Sequence, residues 1–267
     1  MLSPVFRWSL SRPFMGPSIR AENSSNFAPA IARLSAPLIL LLCIQGASAQ
    51  TSEHRDPLEG INRDIYNLNV TIDKYLFKPV AQAYRWLLPN AAELAVGRVF
   101  DNLEEVGSAV NNLGQGKGYA AANNTGRFLV NSTIGVLGLM DVAEPLGLEK
   151  EDFEDFGQTL AVWGVKSGPY LMLPFIGPST LRDGPAFMVD SRMLPQRYLE
   201  DIGARNTARG VDLISIRAKY IDADQALPEK DPYTFVRDAY FQRRDYLIKD
   251  GQIEDDFGAD GSDDFLD

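Results

Sequence analysis

Cysteine and histidine are almost absent from this chain. The 267 residues contain one cysteine, Cys43, and one histidine, His54, both near the N-terminus. The body of the chain therefore has no thiol nucleophile, no imidazole base and no soft metal ligand, which excludes most hydrolase triads and zinc sites. Chemistry that uses only carboxylates remains open. A single cysteine also excludes an intrachain disulfide, so the compartment has to be predicted from a targeting signal.

Positive charge is scarce as well. The net charge is -10. Because residues 1–49 hold four Arg and one Glu, a balance of +3, the remainder carries -13. This balance argues against nucleic acid as the main partner. The chain is otherwise ordinary for a globular protein, with 45% hydrophobic and 23% charged residues, and it is not disordered as a whole.

The apolar stretch around which the chain is organised, Phe128 to Ala143, is short and has no charge before Asp141. A membrane-spanning helix needs about 20 apolar residues, whereas 10–14 suit a buried core helix or a re-entrant or interfacial segment. Apolar side chains point all round the axis, so either other helices or lipid must cover them. The stretch alone favours a buried helix and leaves the lipid-covered alternative open.

The N-terminus has the pattern of a secretory signal peptide. Residues 1–35 hold four Arg against one Glu, residues 38–44 are apolar, and Ala47-Ser48-Ala49 is an A-x-A site. The pattern predicts a signal peptide over residues 1–49, cleaved after Ala49. A plain anchor helix is the alternative, and the long basic region leaves Met15 open as the start.

Cys43 raises the possibility of a lipoprotein signal. Such a signal needs small residues directly before the acylated cysteine, whereas Leu41 and Leu42 precede Cys43. We therefore favour cleavage after Ala49 over acylation of Cys43. Either outcome places the mature protein beyond the inner membrane, with residues 50–55 as a linker.

Helix start signals recur along residues 56–249. Asp56-Pro57 and Asp231-Pro232 each combine an Asp N-cap with Pro at the first helical position. Asn90 and Glu93 have capping-box spacing. An apolar seam at helical spacing follows, formed by Val96, Val99, Leu103, Val106, Val110 and Leu113. The pattern predicts an all-α fold in which this seam packs into the core.

Polar patterns leave several interpretations open. In the first helix, Asn62, Tyr66, Asn69 and Asp73 form a stripe that fits either a solvated face or a partner-docking face. Acids at 151–155 open a later helix, where a solvated cap is more typical than a glycosidase carboxylate pair. Residues 250–267 contain eight acids and no Lys or Arg, which predicts a disordered acidic tail.

A long Gly/Pro-rich loop is predicted from Gly164 to Gly184. Gly168-Pro169 and Gly177-Pro178 mark turns, and residues 170–175 are expected to be extended or loop-like. An apolar loop of this length is usually functional or covered. Ser179 or Thr180 is expected to cap the next helix, which Pro195 ends.

Eight segments from about residue 56 to 248 resemble, in order, the MlaA/VacJ family. They are Asp56-Pro-Leu-Glu-Gly-Ile-Asn-Arg63, Asn102-Leu-Glu-Glu105, Gly126-Arg-Phe-Leu-Val-Asn131, Gly138-Leu-Met-Asp-Val-Ala143, Phe156-Gly-Gln-Thr-Leu160, Gly168-Pro-Tyr-Leu-Met-Leu-Pro174, Thr180-Leu-Arg-Asp183 and Asp231-Pro-Tyr233 through Ala239-Tyr-Phe-Gln-Arg243. Each segment alone is weak, but the ordered series is specific.

The resemblance implies an outer-membrane protein of Gram-negative bacteria that removes phospholipid misplaced in the outer leaflet. The implied fold is a single helical ring in the inner leaflet around an amphipathic channel. The implied partners are phospholipid, a trimeric porin and a soluble periplasmic lipid carrier, with no cofactor and no covalent chemistry. Family members are usually lipoproteins, a pattern from which the residues before Cys43 depart. An embedded body can hold without the acyl chain, because one chain gives only marginal binding.

The same resemblance directs attention to a set of lipid-channel candidates. Acyl tails need an apolar path and head groups a polar one. The apolar candidates are Phe128, Leu129, Ile134, Leu137, Leu139 and Met140. Asn131, Asp141, Arg182 and Asp183 are candidates for the polar path or for structural pairing. No metal site is expected.

Two other classes of function remain as alternatives. The first is a periplasmic helical adaptor of the cell envelope that has no lipid channel, which extraction by carbonate or high salt would favour. The second is a carboxylate-dependent hydrolase, which would require two acids converging in a pocket.

Overall fold

The computed structural model describes residues 56–252. The predicted signal peptide with Cys43 and Ala49, the 50–55 linker and residues 253–267 of the predicted tail lie outside the described residues. Eight α-helices confirm the predicted helical class: α1 (Glu59–Ile72), α2 (Lys78–Leu87), α3 (Asn90–Gly114), α4 (Gly118–Thr133), α5 (Phe156–Val162), α6 (Asp183–Met193), α7 (Ile202–Lys219) and α8 (Pro232–Ile248).

The Gly/Pro-rich loop contains a small β-hairpin, which the all-α prediction did not include. Strands β1 (Tyr170–Leu173) and β2 (Gly177–Thr180) are antiparallel, with Tyr170 opposite Thr180 and Leu173 opposite Gly177. The extended conformation expected after Pro169 is therefore confirmed. The partner strand was not predicted, because its residues, Gly-Pro-Ser-Thr, are typical of turns.

Two of the predicted helix caps are wrong and one is confirmed. Asp56 is buried and accepts hydrogen bonds from Asn62 Nδ2, at 2.7 Å, and from the Tyr233 hydroxyl. Asn90 makes no side-chain cap, because the Pro89 carbonyl accepts from the first free backbone N–H groups of α3. Asp231 does cap α8 and accepts from the backbone N–H of Thr234 at 3.3 Å.

Other helix boundaries behave largely as expected. A π-helical turn, Asp73–Phe77, joins α1 directly to α2. The hydroxyl oxygen of Thr180 accepts from the backbone N–H of Asp183 at the start of α6. This helix ends at Met193, two residues before Pro195. The acids at 151–155 precede α5 instead of forming its first turn. Asp155 caps the helix by accepting from the Gln158 N–H at 2.8 Å, so the cap is confirmed. Glu154 and Asp155 are buried, so the expectation that the cap is solvated is wrong.

An apolar core lies between the hairpin and α8. Its members are Tyr170, Met172, Tyr233, Val236, Tyr240 and Phe241, with Ile65 and Tyr66 of α1 packed against them. The rings meet mostly edge to face; the centroids of Tyr66 and Tyr233 are 5.8 Å apart and those of Tyr170 and Tyr240 are 6.0 Å apart. This part of the molecule packs like the interior of a soluble protein.

Asn62 and Asn69 of α1 are buried and are neither solvated nor free for docking, so both interpretations of the polar stripe are wrong for these two residues. Asn62 Nδ2 donates to the Tyr170 carbonyl at 3.1 Å, and Asn62 Oδ1 accepts from the Met172 N–H at 2.9 Å. Asn69 bonds the Leu173 carbonyl and the Phe175 N–H in the same way. Two amides one heptad apart therefore fasten the hairpin to α1.

The apolar seam of α3 is not part of the buried interior. Val110 and Leu113 are 49% and 69% exposed, and Val96, Val99, Leu103 and Val106 are half-buried. The buried side carries Phe100 and six polar residues, Asn102, Glu104, Glu105, Ser108, Asn111 and Asn112. The helix is confirmed, and the prediction that the seam packs into the core is wrong for Val110 and Leu113. Across the described residues, the buried set contains 26 polar or charged side chains and only 15 hydrophobic ones. Burial in this molecule is therefore mainly polar, which is the reverse of the usual preference.

Candidate functional site

The apolar stretch after Phe128 is not a continuous helix. Helix α4 ends at Thr133, and residues 134–140, termed the apolar loop, form a compact turn held by bonds from Gly138 N to Asn131 O (2.8 Å) and from Met140 N to Gly135 O (3.0 Å). A Cβ on Gly138 would lie 2.7 Å from Asn102 Cβ, so this glycine allows the loop to touch α3. The predicted buried helix is wrong beyond Thr133.

The apolar loop combines backbone strain with exposure. Val136 and Leu137 have φ values of 54° and 58°, a region that β-branched and bulky residues rarely adopt. Leu137 is 71% exposed and Ile134 is 61% exposed, and Val136, Leu139 and Met140 are also exposed. The strained residues and exposed apolar side chains of this loop contribute nothing to the core. We therefore expect the loop to contact something that lies outside the described residues.

The surface that leads to the loop is uncharged. Between Gly118 and Met140 the only charged residue is Arg127, whose relative exposure is 2%. On the outer side of α4, the hydroxyls of Thr125 and Thr133 donate to the carbonyls of Ala121 and Leu129, at 2.8 and 2.7 Å. These hydroxyls are therefore satisfied within the helix and need no water.

Arg127 is the centre of a buried network between α3, α4 and the segment after the loop. Its guanidinium donates to Glu105 Oε1 at 2.8 Å, to Asp141 Oδ2 at 2.8 Å and to the Leu148 carbonyl at 2.6 Å. Asn131 Nδ2 donates to Asp141, and Asn131 Oδ1 accepts from the N–H groups of Val142 and Ala143. Burial opposes the charge of Arg127, but Glu105 and Asp141 raise its pKa above the ordinary value.

Arg244 is the centre of a second buried network that joins α8, α5 and α6. It donates to both oxygens of Asp155 and, at 3.0 Å, to Asp183 Oδ1. Arg182 Nε and the Tyr240 hydroxyl also donate to Asp183, at 2.7 and 2.6 Å. Burial alone would raise the pKa of Asp183, but Arg244 and Arg182 hold it well below its usual range. A side chain at Gly157 would collide with Arg244 and Asp183.

Asp190 lies beside this network without forming an ion pair. Its Oδ1 accepts from Asn111 Nδ2 at 3.1 Å and from the Phe156 N–H at 2.9 Å, so it links α3, α5 and α6. Desolvation of the carboxylate, followed by the negative charge of Asp155, raises the pKa of Asp190 to about 7.

The predicted channel candidates separate into two kinds of environment. Leu129, Ile134, Leu137, Leu139 and Met140 are exposed on α4 and the apolar loop, with Phe128 half-buried beside them. Asn131 and Asp141 belong to the Arg127 network, and Arg182 and Asp183 belong to the Arg244 network. All four polar candidates therefore make structural pairs.

The residues at the centres of both networks, Arg127 and Arg244, were missed as site residues. A signal was present for Arg127, the one charge in a long uncharged stretch. For Arg244 no local pattern indicates a partner, because Asp155 lies 89 residues away. Within residues 56–252, no helix is both long enough and apolar enough to cross a bilayer.

Comparison with known proteins gives consistent matches over most of the chain. Residues 54–247 match the family model described as MlaA lipoprotein. The chain is 35% identical over 232 residues to proteins of Shigella flexneri and Escherichia coli (strain K12), both named intermembrane phospholipid transport system lipoprotein MlaA, covering 83% of this chain and 91% of each relative. A protein of the same name from Haemophilus influenzae is 30% identical, with 76% of this chain and 83% of the relative covered.

A solved structure has a similar fold. It comes from work described as "Structural basis for maintenance of bacterial outer membrane lipid asymmetry". The TM-score is 0.64 at 38% sequence identity, and the match covers 72% of this chain and 98% of the solved chain.

Proposed function

The chain belongs to the MlaA lipoprotein family, and on that premise we propose that it works in intermembrane phospholipid transport. Its relatives carry that function in their names, and the similar structure concerns the lipid asymmetry of the outer membrane. We place the protein at the outer membrane, on its periplasmic side. There it removes phospholipid that has reached the outer leaflet and returns it inward.

The observation that carries this proposal is the reversed polarity of the α3–α4 pair. Its buried residues are mostly Asn, Glu and Arg, whereas Leu94, Val110, Leu113 and Leu129 of the pair are exposed, together with Ile134 and Met140 of the apolar loop that follows. In water such a surface would associate or aggregate, whereas acyl chains cover it favourably at roughly 25 cal/mol per Å². An uncharged outer side on α4 with its hydroxyls internally bonded suits the same surroundings.

In the proposed mechanism, lipid moves without covalent chemistry. The helices surround an amphipathic channel in the inner leaflet, and the apolar candidates from Phe128 to Met140 contact the acyl tails. The Arg127 and Arg244 networks fix the surrounding helices and keep the interior polar for the head group. Such a task requires no nucleophile, in agreement with a body that lacks Cys and His. The protein is proposed to be a transporter component and not an enzyme.

Two partners complete the proposed system. A trimeric porin holds the protein at the outer membrane, and a soluble periplasmic carrier receives the lipid. The exposed apolar residues offer enough uncharged surface for a bilayer-embedded partner beside the lipid. A carrier would approach from the periplasm, where charged residues are tolerated.

The test replaces Leu137 and Leu139 with Asp in cells that depend on this protein. Outer-leaflet phospholipid is measured by the access of an external phospholipase to intact cells. We expect phospholipid to accumulate, because charge on the apolar loop disrupts its contact with acyl chains. Asp tolerates positive φ, so the backbone at position 137 is not further strained.

The matched control is Leu137→Met with Leu139→Met, which keeps the surface apolar and is expected to leave phospholipid at the parental level. Both variants are checked for their amount in the outer membrane. Normal outer-leaflet phospholipid in the Asp variant, with the protein correctly located, would contradict the proposed role of the loop.

A further inference from the structure

The arginines of this protein fall into two groups. Of the 13 in the described residues, eight form ion pairs with carboxylates: Arg63, Arg85, Arg127, Arg182, Arg217, Arg237, Arg243 and Arg244. Four of the remaining five occur within 18 residues, at Arg192, Arg197, Arg205 and Arg209, and are termed the arginine corner. In the part of the chain that the structure describes, none of these four forms an ion pair.

The corner is a bend between two helices. A 3₁₀ turn, Pro195–Tyr198, connects α6 to α7. The Tyr198 hydroxyl donates to the Arg192 carbonyl at 2.8 Å, and Arg205 Nη1 donates to the Leu199 carbonyl at 3.5 Å. Arg197 Nη1 contacts Ser191 Oγ at 3.5 Å. These acceptors are neutral, so the bonds fix the bend and do not offset the guanidinium charges.

Two of the arginines share one side of α7. Arg205 and Arg209 are four residues apart, which places their side chains next to each other on the helix. Like charges at this spacing destabilise an isolated helix. Neither acid of the same segment forms an ion pair among the described residues: Asp201 caps α7 through the Ala204 N–H, and Glu200 is exposed. An external anion would reduce the repulsion between the two arginines.

The charge of the corner contrasts with that of the rest of the chain. Residues 192–209 hold four Arg and two acids, a balance of +2. The described residues as a whole hold 21 basic and 27 acidic residues, a balance of -6. Arg192 and Arg209 are exposed and the other two are half-exposed, so all four can reach a ligand at the surface.

Exposed apolar side chains accompany the arginines. Met188 precedes Arg192 by four residues on α6, and Ile202 precedes Arg205 by three on α7, so each lies next to an arginine on its helix. Met188 is 60% exposed, Ile202 63% and Tyr198 72%. Apolar side chains with arginines beside them suit the boundary between acyl chains and head groups, where the long arginine stem stays in the apolar layer and the guanidinium meets phosphate.

We propose that the arginine corner binds the phosphate of acidic phospholipid head groups at the membrane surface. The inference rests on the proposed function, because it supposes that the body lies in a lipid leaflet. It adds the ligand chemistry of a surface that lies outside the apolar loop and both buried networks. Each guanidinium can donate two parallel hydrogen bonds to a phosphate.

The test measures partition of the full mature chain into vesicles by flotation. Phosphatidylcholine vesicles with and without phosphatidylglycerol are compared. The readout is the partition coefficient with phosphatidylglycerol divided by the one without it. The contribution of apolar insertion is common to both coefficients and cancels in this ratio. The variant Arg205→Gln with Arg209→Gln is expected to lower this ratio about thirtyfold, because each basic side chain near an anionic surface contributes about 1 kcal/mol. Gln is a good helix former, so α7 is expected to fold.

Two controls separate the corner from overall charge and from packing. Arg98→Gln with Lys166→Gln removes two other exposed cations that form no ion pair among the described residues, and the ratio is expected to stay within about threefold of the parent. Arg205→Lys with Arg209→Lys keeps the charge and is expected to retain most of the preference. Equal losses in both Gln variants, or no loss in either, would overturn the proposal.

The source of the phosphate is tested with salt. Sodium phosphate and sodium chloride at equal ionic strength are expected to lower the ratio equally through screening. A stronger effect of phosphate would indicate a site for free phosphate and would overturn the head-group assignment. Flotation requires neither cells nor transport. A negative flotation result therefore leaves the outer-leaflet phospholipid test unaffected, and a negative result of that test leaves the flotation result unaffected.

Discussion

Two regions of this molecule are built on opposite principles. The hairpin and α8 enclose an aromatic core that resembles a soluble protein, with Tyr170 and Tyr240 almost fully buried. The α3–α4 pair buries asparagines, two glutamates and an arginine and leaves Leu94, Val110, Leu113 and Leu129 exposed. On the proposed function, we interpret the difference as the adaptation of one chain to two solvents. Where apolar contact with lipid is available outside, hydrogen bonds and ion pairs have to hold the helices together.

The largest effect is expected when Arg127, the centre of its buried polar network, is replaced. Arg127→Met leaves Glu105 buried and Asp141 partly buried without their cation, and we expect a loss of about 3–5 kcal/mol in the free energy of unfolding. Urea unfolding in mild detergent, followed by circular dichroism, measures it. The control Arg85→Met removes a single, more exposed pair with Asp222 and should cost less than about 1 kcal/mol. Equal losses would remove the distinction between the two pairs.

The second prediction compares two methionines, one from each region. Met172 is 2% exposed in the aromatic core, and Met140 is 50% exposed on the apolar loop. Met172→Ala is expected to cost about 2–5 kcal/mol, whereas Met140→Ala should cost less than about 1 kcal/mol. The same unfolding experiment provides both values. A larger loss from Met140→Ala would mean that the loop is part of the core.

The third prediction concerns pH and Asp190. Its pKa is about 7 in the folded protein and near 3.8 when unfolded, so the folded state holds an extra proton between these values. The stability contributed by this protonation is fully present below about pH 4 and is lost as pH rises through 7. Asp190→Asn keeps an acceptor for Asn111 and Phe156 and needs no proton. It should therefore be more stable than the parent at pH 8, by on the order of 2 kcal/mol.

Melting temperatures at pH 5 and pH 8 measure this effect. The advantage of the Asn variant is expected to be clear at pH 8 and to shrink at pH 5. An advantage of the same size at both pH values would show that the proton on Asp190 is not responsible.

The smallest expected effect concerns the strained tip of the apolar loop. Leu137 has a φ of 58°, which asparagine adopts more readily, so Leu137→Asn should stabilise the isolated protein by up to about 1 kcal/mol. Leu139→Asn, at a position without positive φ, should bring no such gain. Thermal unfolding in detergent decides this, and equal shifts for both variants would argue against backbone strain at Leu137.

Much of the helical framework could be predicted because its signals are local. The start of α8 at Asp231-Pro232 follows from a cap and a proline, and the end of α6 follows from Pro195. The side of each helix that faces inward could not be predicted in the same way. Periodicity shows that α3 has an apolar side, but not whether protein or lipid covers it, and the assumption of a soluble core gave the wrong answer.

The buried networks were beyond prediction for a different reason. Arg244 reaches Asp155 and Asp183 over 89 and 61 residues, and Asn62 reaches the hairpin over more than 100. No local pattern encodes such pairs. The apolar loop was recognised as important from its lack of charge, but its turn at Val136 and Leu137 was not, because neither residue is typical of positive φ.

The most direct test of the reversed polarity asks what covers the apolar loop. The chain has one cysteine, Cys43, so Leu137→Cys in a Cys43→Ser background can carry one environment-sensitive fluorophore in proteoliposomes, with Lys230→Cys as the exposed reference. We expect strong quenching at position 137 by nitroxides on lipid acyl chains and little by aqueous iodide, with the opposite at position 230. Quenching of position 137 by iodide and not by the acyl-chain nitroxide would show that water covers the loop and would contradict a lipid-facing surface.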